Sequence, residues 1–188
     1  MKISIITVCY NSDVTIRDTI ESVLFQDYSN IEYIISDGKS SDSTMKIISE
    51  YKDSIHKIVS EPDKGIYDAM NKGIDVASGD DIGVLNSDAV FYDDKVVSDL
   101  VSNIKAFENP EAIYSDLQYV KENDLSKPTR KYTFPDFSPW MIRFGLMIPH
   151  PTFYVKSSVY KDYGNYRLDF KVAADFELMA RVMVAGVT

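Results

Sequence analysis

The sequence predicts an α/β protein with a mainly parallel central sheet flanked by helices. Short, β-branched apolar runs such as Ile3–Val8 are typical of strands that are buried on both faces. Apolar residues at helical spacing follow such runs, as in Ile16, Ile20, Val23 and Leu24. The two patterns alternate four times, and parallel neighbours need crossover connections of this kind.

The elements follow one another in a regular order. Apolar runs predict five strands, at Ile3–Val8, Ile31–Ile35, Lys57–Ser60, Asp81–Leu85 and Ala112–Val120. Apolar stripes predict a helix after each of the first four strands, over Ile16–Leu24, Met45–Tyr51, Ile66–Ala77 and Val97–Ile104. The polar stretch Lys121–Arg130 is then predicted as a surface loop, Tyr132–Tyr154 as a packed irregular region, and a last helix begins at about Ala174.

Composition excludes several classes of protein. The chain has 188 residues, 20 Lys and Arg against 29 Asp and Glu, and a net charge of −9, which disfavours general nucleic-acid binding. The length suits one domain over residues 1–188. A single cysteine, Cys9, excludes an internal disulfide and favours the reducing cytoplasm. No apolar run approaches the roughly 18 residues of a membrane span, so we expect only peripheral contact, at the inner face of the cell membrane.

Two carboxylates follow predicted strands of the sheet. Asp37 and Asp88 each come at a strand end, where an open α/β sheet binds its ligands. The segment Gly38-Lys39-Ser40 resembles the tail of a phosphate-binding loop, but Tyr33 stands where the first glycine would be. A diphosphate would therefore need a metal, and Asp88 with Asn86 offers oxygen ligands suited to Mg²⁺ or Mn²⁺. The alternative is an ordinary Asn-Ser-Asp turn.

Two further residues admit more than one interpretation. His150 precedes Pro151 at the end of an apolar segment, where a hydrogen-bonded structural histidine is favoured over a functional one. Asp175 begins the last helix on the same stripe as Leu178, Met179 and Val182. It is either a helix cap or a partly desolvated general base.

Six ordered segments resemble the motifs of family 2 glycosyltransferases, most closely the bacterial branch that builds O-antigen, capsule and related surface polysaccharides. They span most of the chain and include residues that lie at the predicted strand ends. The segments are Ile5–Asn11, Ser36–Thr44, Glu61–Gly73, Leu85–Asp88, His150–Phe153 and Ala174–Leu178.

The resemblance implies a GT-A fold and transfer of a sugar, with inversion, from a nucleoside diphosphate donor, expected to be a UDP-sugar, to a lipid-linked saccharide acceptor. It implies that Asp37 accepts the imide hydrogen of the base and that Asp175 is the catalytic base. Asp88 would hold Mg²⁺ or Mn²⁺ on the diphosphate. The remaining contacts to the nucleotide would come from Thr7, Tyr10, Asn11 and Lys64.

The chain departs from the family pattern in two places. Ala89 stands where many members have a second acid after Asp88, and members usually continue well beyond the helix that carries the base. We therefore expect residues 1–188 to be the amino-terminal part of a longer enzyme. A sugar-nucleotide-binding module with weak catalysis remains an alternative. A sugar nucleotidyltransferase is another, although Cys9–Asp13 lacks the glycine-rich, arginine-containing loop of that class.

Overall fold

The structure is a computed structural model that describes residues 1–121, 124–133 and 137–187. Eight strands are present in this part of the chain: β1 Ile3–Cys9, β2 Ile31–Asp37, β3 Lys57–Ser60, β4 Asp81–Asn86, β5 Ala112–Ile113, β6 Leu117–Lys121, β7 Asp124–Tyr132 and β8 Tyr154–Lys156. Six α-helices accompany them: α1 Ile16–Leu24, α2 Thr44–Glu50, α3 Ile66–Val76, α4 Val96–Ala106, α5 Ser157–Tyr163 and α6 Ala174–Val184.

The predicted α/β class and mainly parallel sheet are confirmed. Six strands form the central sheet in the order β3-β2-β1-β4-β8-β5. Strands β1 to β4 are parallel to one another, while β8 runs antiparallel to both β4 and β5. Strand order reverses between β1 and β4, which creates a crevice at the carboxyl ends of these strands.

Helices cover both faces of the sheet, as the continuous apolar strands require. On one face, Ile5 of β1 packs with Ile20 of α1 and Val101 of α4. On the other face, Ile6 packs with Met70 of α3 and with α6. Complete burial of each such side chain contributes about 1.5–3 kcal/mol, so the alternating faces of β1 anchor helices on both sides.

Two predictions between residues 112 and 130 are wrong. Ala112–Val120 is not one strand, because β5 pairs with β8 in the central sheet whereas β6 pairs with β7 in a separate two-stranded sheet. Lys121–Arg130 is not a loop, since most of it belongs to the β6–β7 ribbon; residues 122 and 123 lie outside the described part. Residues 127–130 are exposed, and an exposed ribbon has the polar composition of a loop.

The segment Tyr132–Tyr154 contains two short 3₁₀ helices, Pro139–Phe144 and His150–Thr152, with residues 134–136 outside the described part. Strand β8 and helix α5 follow it and were not predicted. The last predicted helix is confirmed as α6. Among the described residues, no helix is long and apolar enough to cross a membrane.

Candidate active site

The carboxyl ends of β1, β2 and β4 lie side by side at one edge of the sheet. Cys9 pairs with Asp37 and Val8 pairs with Asn86. The loops that follow these strands carry most of the predicted site residues, and all of these loops start at the same edge of the sheet.

The loops after β1 and β2 are held together by reciprocal hydrogen bonds. The backbone N–H of Asn11 donates to the Ser40 hydroxyl at 2.9 Å, and the N–H of Ser41 donates to Asn11 Oδ1 at 2.9 Å. Asn11 has φ 50°, a left-handed conformation that asparagine tolerates better than most residues. The neighbouring Tyr10 ring is left 63% exposed at the crevice edge, where it is open to a ligand.

Asp37 is buried and surrounded by uncharged donors. Ser60 Oγ donates to its Oδ2 at 2.7 Å, the Ser40 hydroxyl donates to Oδ1, and the thiol of Cys9 lies 3.8 Å from Oδ1. Burial, followed by the charge of Asp37, raises the pKa of Cys9, so the thiol stays protonated. The structure thus holds a buried acid at the carboxyl end of β2, surrounded by neutral hydrogen-bond donors.

The loop after β3 carries Lys64 close to the loop after β2. Asp63 Oδ1 accepts a hydrogen bond from the N–H of Gly65 at 2.9 Å, and Gly65 has φ 117°, which favours glycine. A side chain on Gly38 would collide with the Asp63 carboxylate, so this carboxylate lies directly against the loop after β2. Lys64 is exposed, and its ammonium group has no partner among the described residues.

The turn after β4 supplies oxygen atoms suited to a cation. Asp88 is exposed and has no hydrogen-bond or ion-pair partner within the described ranges, while Asn86 Oδ1 is buried and lacks a hydrogen bond there. These atoms fit a hard divalent ion. The described residues contain no group of three or more acidic, histidine or cysteine side chains that could hold a metal, so phosphate and water would have to complete the coordination. Ala89 adds no ligand.

Asp175 lies in the first turn of α6 and is half-buried. Leu178, Met179 and Val182 are buried below it, as the sequence predicts. Tyr67 of α3 donates a hydrogen bond to Asp175 Oδ1 at 3.0 Å. The residue before the helix is Ala173 and no side chain caps the helix, so the cap interpretation of Asp175 is not supported.

The sequence matches the family model described as glycosyl transferase family 2 over residues 4–167. The chain belongs to this family. It is 34% identical over 181 residues to an uncharacterized glycosyltransferase of Mycobacterium tuberculosis, covering 95% of this chain and 68% of the relative. It is 35% identical over 149 residues to WfaP of Escherichia coli, a UDP-Glc:α-D-GlcNAc-diphosphoundecaprenol β-1,3-glucosyltransferase, covering 79% of this chain and 56% of WfaP.

Solved structures of glycosyltransferases share the fold. The S. aureus TarS fragment 1–349 superposes with a TM-score of 0.79 at 22% identity, covering 96% of this chain and 55% of that fragment. The mannosyltransferase PcManGT of Pyrobaculum calidifontis, in complex with GDP-Man and Mn²⁺, gives 0.71 at 16% identity, covering 94% and 50%. The predicted GT-A fold is confirmed. This chain spans about half the length of these two structures.

The surroundings of two residues of the family motifs differ from those that the sequence predicts. Thr7 is completely buried inside β1, with its hydroxyl 3.1 Å from that of Tyr33, so it does not reach the crevice surface. His150 is 8% exposed, and neither ring nitrogen has a hydrogen-bond partner among the described residues, so the expected hydrogen-bonded histidine is not found. Burial lowers the pKa of His150, opposed by the charge of Asp175.

The sequence analysis missed residues that support the predicted acids. Ser40 and Ser60 bind Asp37, and Tyr67 binds Asp175. All three lie in or next to the motifs quoted above, and this position alone could have marked them as residues near the site. Their partners depend on how the loops and helices pack.

Proposed function

We propose that this chain carries the donor site and catalytic base of an inverting glycosyltransferase that uses a UDP-sugar and a lipid-linked saccharide acceptor. The proposal rests on the placement of three acids: Asp37 ends β2, Asp88 follows β4, and Asp175 is tethered to Tyr67 in the first turn of α3, the helix after β3. Two relatives support the choice of substrates. WfaP is named for a UDP-glucose donor and a diphosphoundecaprenol acceptor, and the TarS fragment is known in complex with UDP-GlcNAc.

The nucleoside side of the proposed site is formed by the loops after β1 and β2. Asp37 accepts the imide hydrogen of uracil after the Ser40 hydroxyl gives way, and the exposed Tyr10 ring packs against the base. Asn11 fixes the loop through its bonds to Ser40 and Ser41. A hydrogen bond to a charged acceptor is worth about 1.5–3 kcal/mol, enough to favour uridine over a base without that hydrogen.

Lys64 and Asp88 form the proposed diphosphate side. The Lys64 ammonium faces the developing negative charge of the leaving diphosphate. Asp88, with Asn86, would hold Mg²⁺ or Mn²⁺, which neutralises the diphosphate when bound. Because the Lys64 ammonium and the Asp88 carboxylate have no partners in the described part of the chain, neither group must break a protein contact to meet the ligand.

Asp175 acts on the acceptor. Its carboxylate takes the proton of the acceptor hydroxyl as that oxygen bonds to the anomeric carbon, and the bond from this carbon to the diphosphate oxygen breaks. Attack from the face opposite the leaving group inverts the configuration, as in inverting glycosidases. A positioned base contributes about 10²–10⁴-fold to the rate.

The proposal is tested by Asp175→Asn, assayed for transfer from UDP-sugars to a lipid-linked acceptor. We expect a loss of about 10²-fold or more in kcat, because the amide cannot accept the proton. UDP affinity and unfolding free energy should stay near the parent values. Glu177→Gln, which changes an acid two residues away that pairs with Arg181, is the matched control and should retain transfer. Transfer by Asp175→Asn at the parent rate would contradict the assignment of the base.

Metal dependence is tested separately by calorimetry of UDP with and without a chelator. Chelation should weaken binding to the parent but have little effect on Asp88→Ala, because the variant has already lost the carboxylate that holds the ion. Equal binding by the parent under both conditions would exclude a metal requirement and leave Lys64 as the principal cation at the diphosphate.

Cytoplasmic, membrane-peripheral action is also part of the proposal. The 3₁₀ helix Pro139–Phe144 buries Ile142 and contacts α6, while Trp140 and Phe144 are 56% and 75% exposed beside Arg143. Exposed aromatic residues beside a basic one suit the interface of an anionic membrane. Co-sedimentation with anionic vesicles should fall for Trp140→Ala, and unchanged binding would contradict this contact.

A sugar-nucleotide-binding module with weak catalysis is a second candidate, and Ala89 in place of a second acid favours it. This module would bind UDP without consuming the donor. Assaying hydrolysis and transfer of a bound UDP-sugar separates the two functions.

A further inference from the structure

The hydroxyl of Tyr67 joins two distant parts of the chain. It donates to Asp175 Oδ1 at 3.0 Å across 108 residues of sequence. Tyr67 lies in the first turn of α3, directly after the loop that carries Lys64, whereas Asp175 lies in the first turn of α6. One hydrogen bond therefore connects the donor-side loop and its helix to the proposed base.

The Tyr67 ring is itself held in place. It stacks on Tyr166 with ring centroids 5.7 Å apart and an interplanar angle of 25°. Asn71, one turn further along α3, holds the backbone of Tyr166 at two points: its Nδ2 donates to the Tyr166 carbonyl at 2.8 Å, and its Oδ1 accepts from the Tyr166 N–H at 2.9 Å. His150 also contacts the Tyr166 ring edge to face, with centroids 5.9 Å apart.

The chemistry of the pair fixes the direction of the hydrogen bond. Burial, followed by the charge of Asp175 and the hydrogen bond to it, raises the pKa of Tyr67, with a smaller opposing effect of the backbone N–H groups of Ala174 and Asp175. The phenol therefore stays protonated and donates. Asp175 Oδ2 has no hydrogen-bond partner in the ranges that the structure describes, so one carboxylate oxygen is tethered and the other is available.

We infer that Tyr67 is a positioning residue for Asp175: its hydroxyl tethers Oδ1 so that Oδ2 faces the acceptor hydroxyl. This inference rests on the proposed function. Orientation of a base within a few tenths of an ångström affects the rate of proton transfer far more than it affects donor binding. Tyr67 should therefore influence kcat and leave the KM for the donor nearly unchanged.

The test is Tyr67→Phe, which removes the hydroxyl and keeps the stacked ring. We expect kcat to fall about tenfold to a hundredfold, the range for loss of a hydrogen bond to a charged group, with the donor KM changed less than about threefold. Tyr160→Phe is the matched control, because Tyr160 is a buried phenol that contacts Tyr166 and has no hydrogen bond to Asp175 in the described chain. It should keep the parent kcat.

A double variant separates positioning from a merely structural role. If Tyr67 acts through Asp175, Tyr67→Phe combined with Asp175→Asn should transfer no more slowly than Asp175→Asn alone. If the losses of kcat in the two single variants multiply in the double variant, the inference is overturned. It is also overturned if Tyr67→Phe keeps the parent kcat or changes only the KM.

A third measurement needs no turnover. Tyrosine labelled with ¹³C at Cζ reports the ionisation of Tyr67 by NMR, and its pKa should fall in Asp175→Asn because the neighbouring charge is gone. If the parent transfers no sugar, the proposed function fails. A pKa of Tyr67 that does not respond to Asp175→Asn would overturn the tether itself, and a pKa that falls would retain it.

Discussion

Strand β2 carries a buried acid near each end, and the two acids have different surroundings. Glu32, second in the strand, is 2% exposed. It lies 3.1 Å from the ammonium of Lys2 and 3.0 Å from that of Lys57, and it accepts a hydrogen bond from the Ser4 hydroxyl at 2.6 Å. The negative charge at the amino-terminal side of the sheet is thus balanced by cations of the protein.

Asp37, the last residue of β2, is 1% exposed and has no such balance. The hydroxyls of Ser40 and Ser60 and the thiol of Cys9 surround it, and no lysine or arginine in the described ranges forms an ion pair with it. Asp175 also lacks an ion pair within those ranges. An acid stabilised by neutral donors keeps its charge available for a ligand.

The difference separates stability from function along a single strand. Lys2 and Lys57 supply the cations for Glu32, so removing Glu32 leaves two half-buried ammonium groups without a partner. The free energy of unfolding should therefore fall. No cation in the described part of the protein balances Asp37 or Asp175, so we expect the ligand or a metal to do so. Removing either acid should therefore weaken ligand binding or slow turnover, with little effect on folding. The predictions below run from the largest expected effect to the smallest, and the first two test this division directly.

Replacing Glu32 should destabilise the protein most. Glu32→Ala removes the shared partner of Lys2 and Lys57, whose side chains are 35% and 39% exposed, so we expect a loss of about 1.5–3 kcal/mol, the value of hydrogen bonds to a charged group. Urea unfolding measures the loss. The control is Glu50→Ala, which breaks an ion pair with Arg17 in which Glu50 is 46% exposed and should cost less than about 1 kcal/mol. Equal losses for the two variants would contradict the special role of the Glu32 cluster.

Replacing Asp37 should affect binding more than folding. We expect Asp37→Asn to weaken UDP binding about tenfold, because the amide is a poorer acceptor for the imide hydrogen. Its unfolding free energy should stay within about 1 kcal/mol of the parent, since burial of an unpaired charge is itself costly. Calorimetry and urea unfolding provide the two values. If Asp37→Asn binds UDP with the parent affinity, Asp37 does not contact the nucleoside.

Much of the fold could be predicted because its signals are local. Each of β1 to β4 is an apolar run followed by an amphipathic helix, and the last residues of these strands identify the edge that carries Asp37 and Asp88. The β6–β7 ribbon was missed because it contributes few residues to either core and so shows little apolar alternation. Strand β8 was missed because its three residues lie at the end of an aromatic segment.

The sequence predicted the acids of the candidate site. It did not predict the hydrogen bonds that hold these acids in place. The bond from Tyr67 to Asp175 results from the packing of α3, α6 and the Tyr166 segment, and no spacing in the sequence encodes it. Thr7 shows the same limit. In a sheet covered on both faces, the apolar pattern does not indicate which polar strand residue reaches the open end and which one meets a buried partner such as Tyr33.

His150 and Glu32 should each change the free energy of unfolding in a different pH range. Burial lowers the pKa of His150 below 6.5, so the unfolded state binds the proton first and unfolding free energy falls as the pH drops below 6.5. Burial would raise the pKa of Glu32, but hydrogen bonds from Ser4, Ser78 and Lys57 outweigh it and hold the pKa below 4.5. The stabilisation that Glu32 provides is therefore lost only as the pH falls below 4.5.

Difference measurements separate the two contributions. Compared with the parent, His150→Phe should lose less stability as the pH falls below 6.5, and Glu32→Gln should show its smaller loss only below pH 4.5. Urea unfolding at fixed pH values gives both curves. Identical pH windows for the two variants would contradict the assignment of one group to each end.

The smallest effect concerns Ala173, which precedes the helix that carries Asp175 and has φ 67°. A left-handed alanine costs about 1–2 kcal/mol, while glycine loses about 0.5–1 kcal/mol more entropy on folding. Ala173→Gly should therefore be neutral or stabilise the protein by up to about 1.5 kcal/mol. Ala180→Gly, inside α6, is the matched control and should destabilise by about 1 kcal/mol. If both variants lose the same stability, the backbone before Asp175 is not strained. If only Ala173→Gly is tolerated, its transfer rate shows whether that strain helps to orient the base.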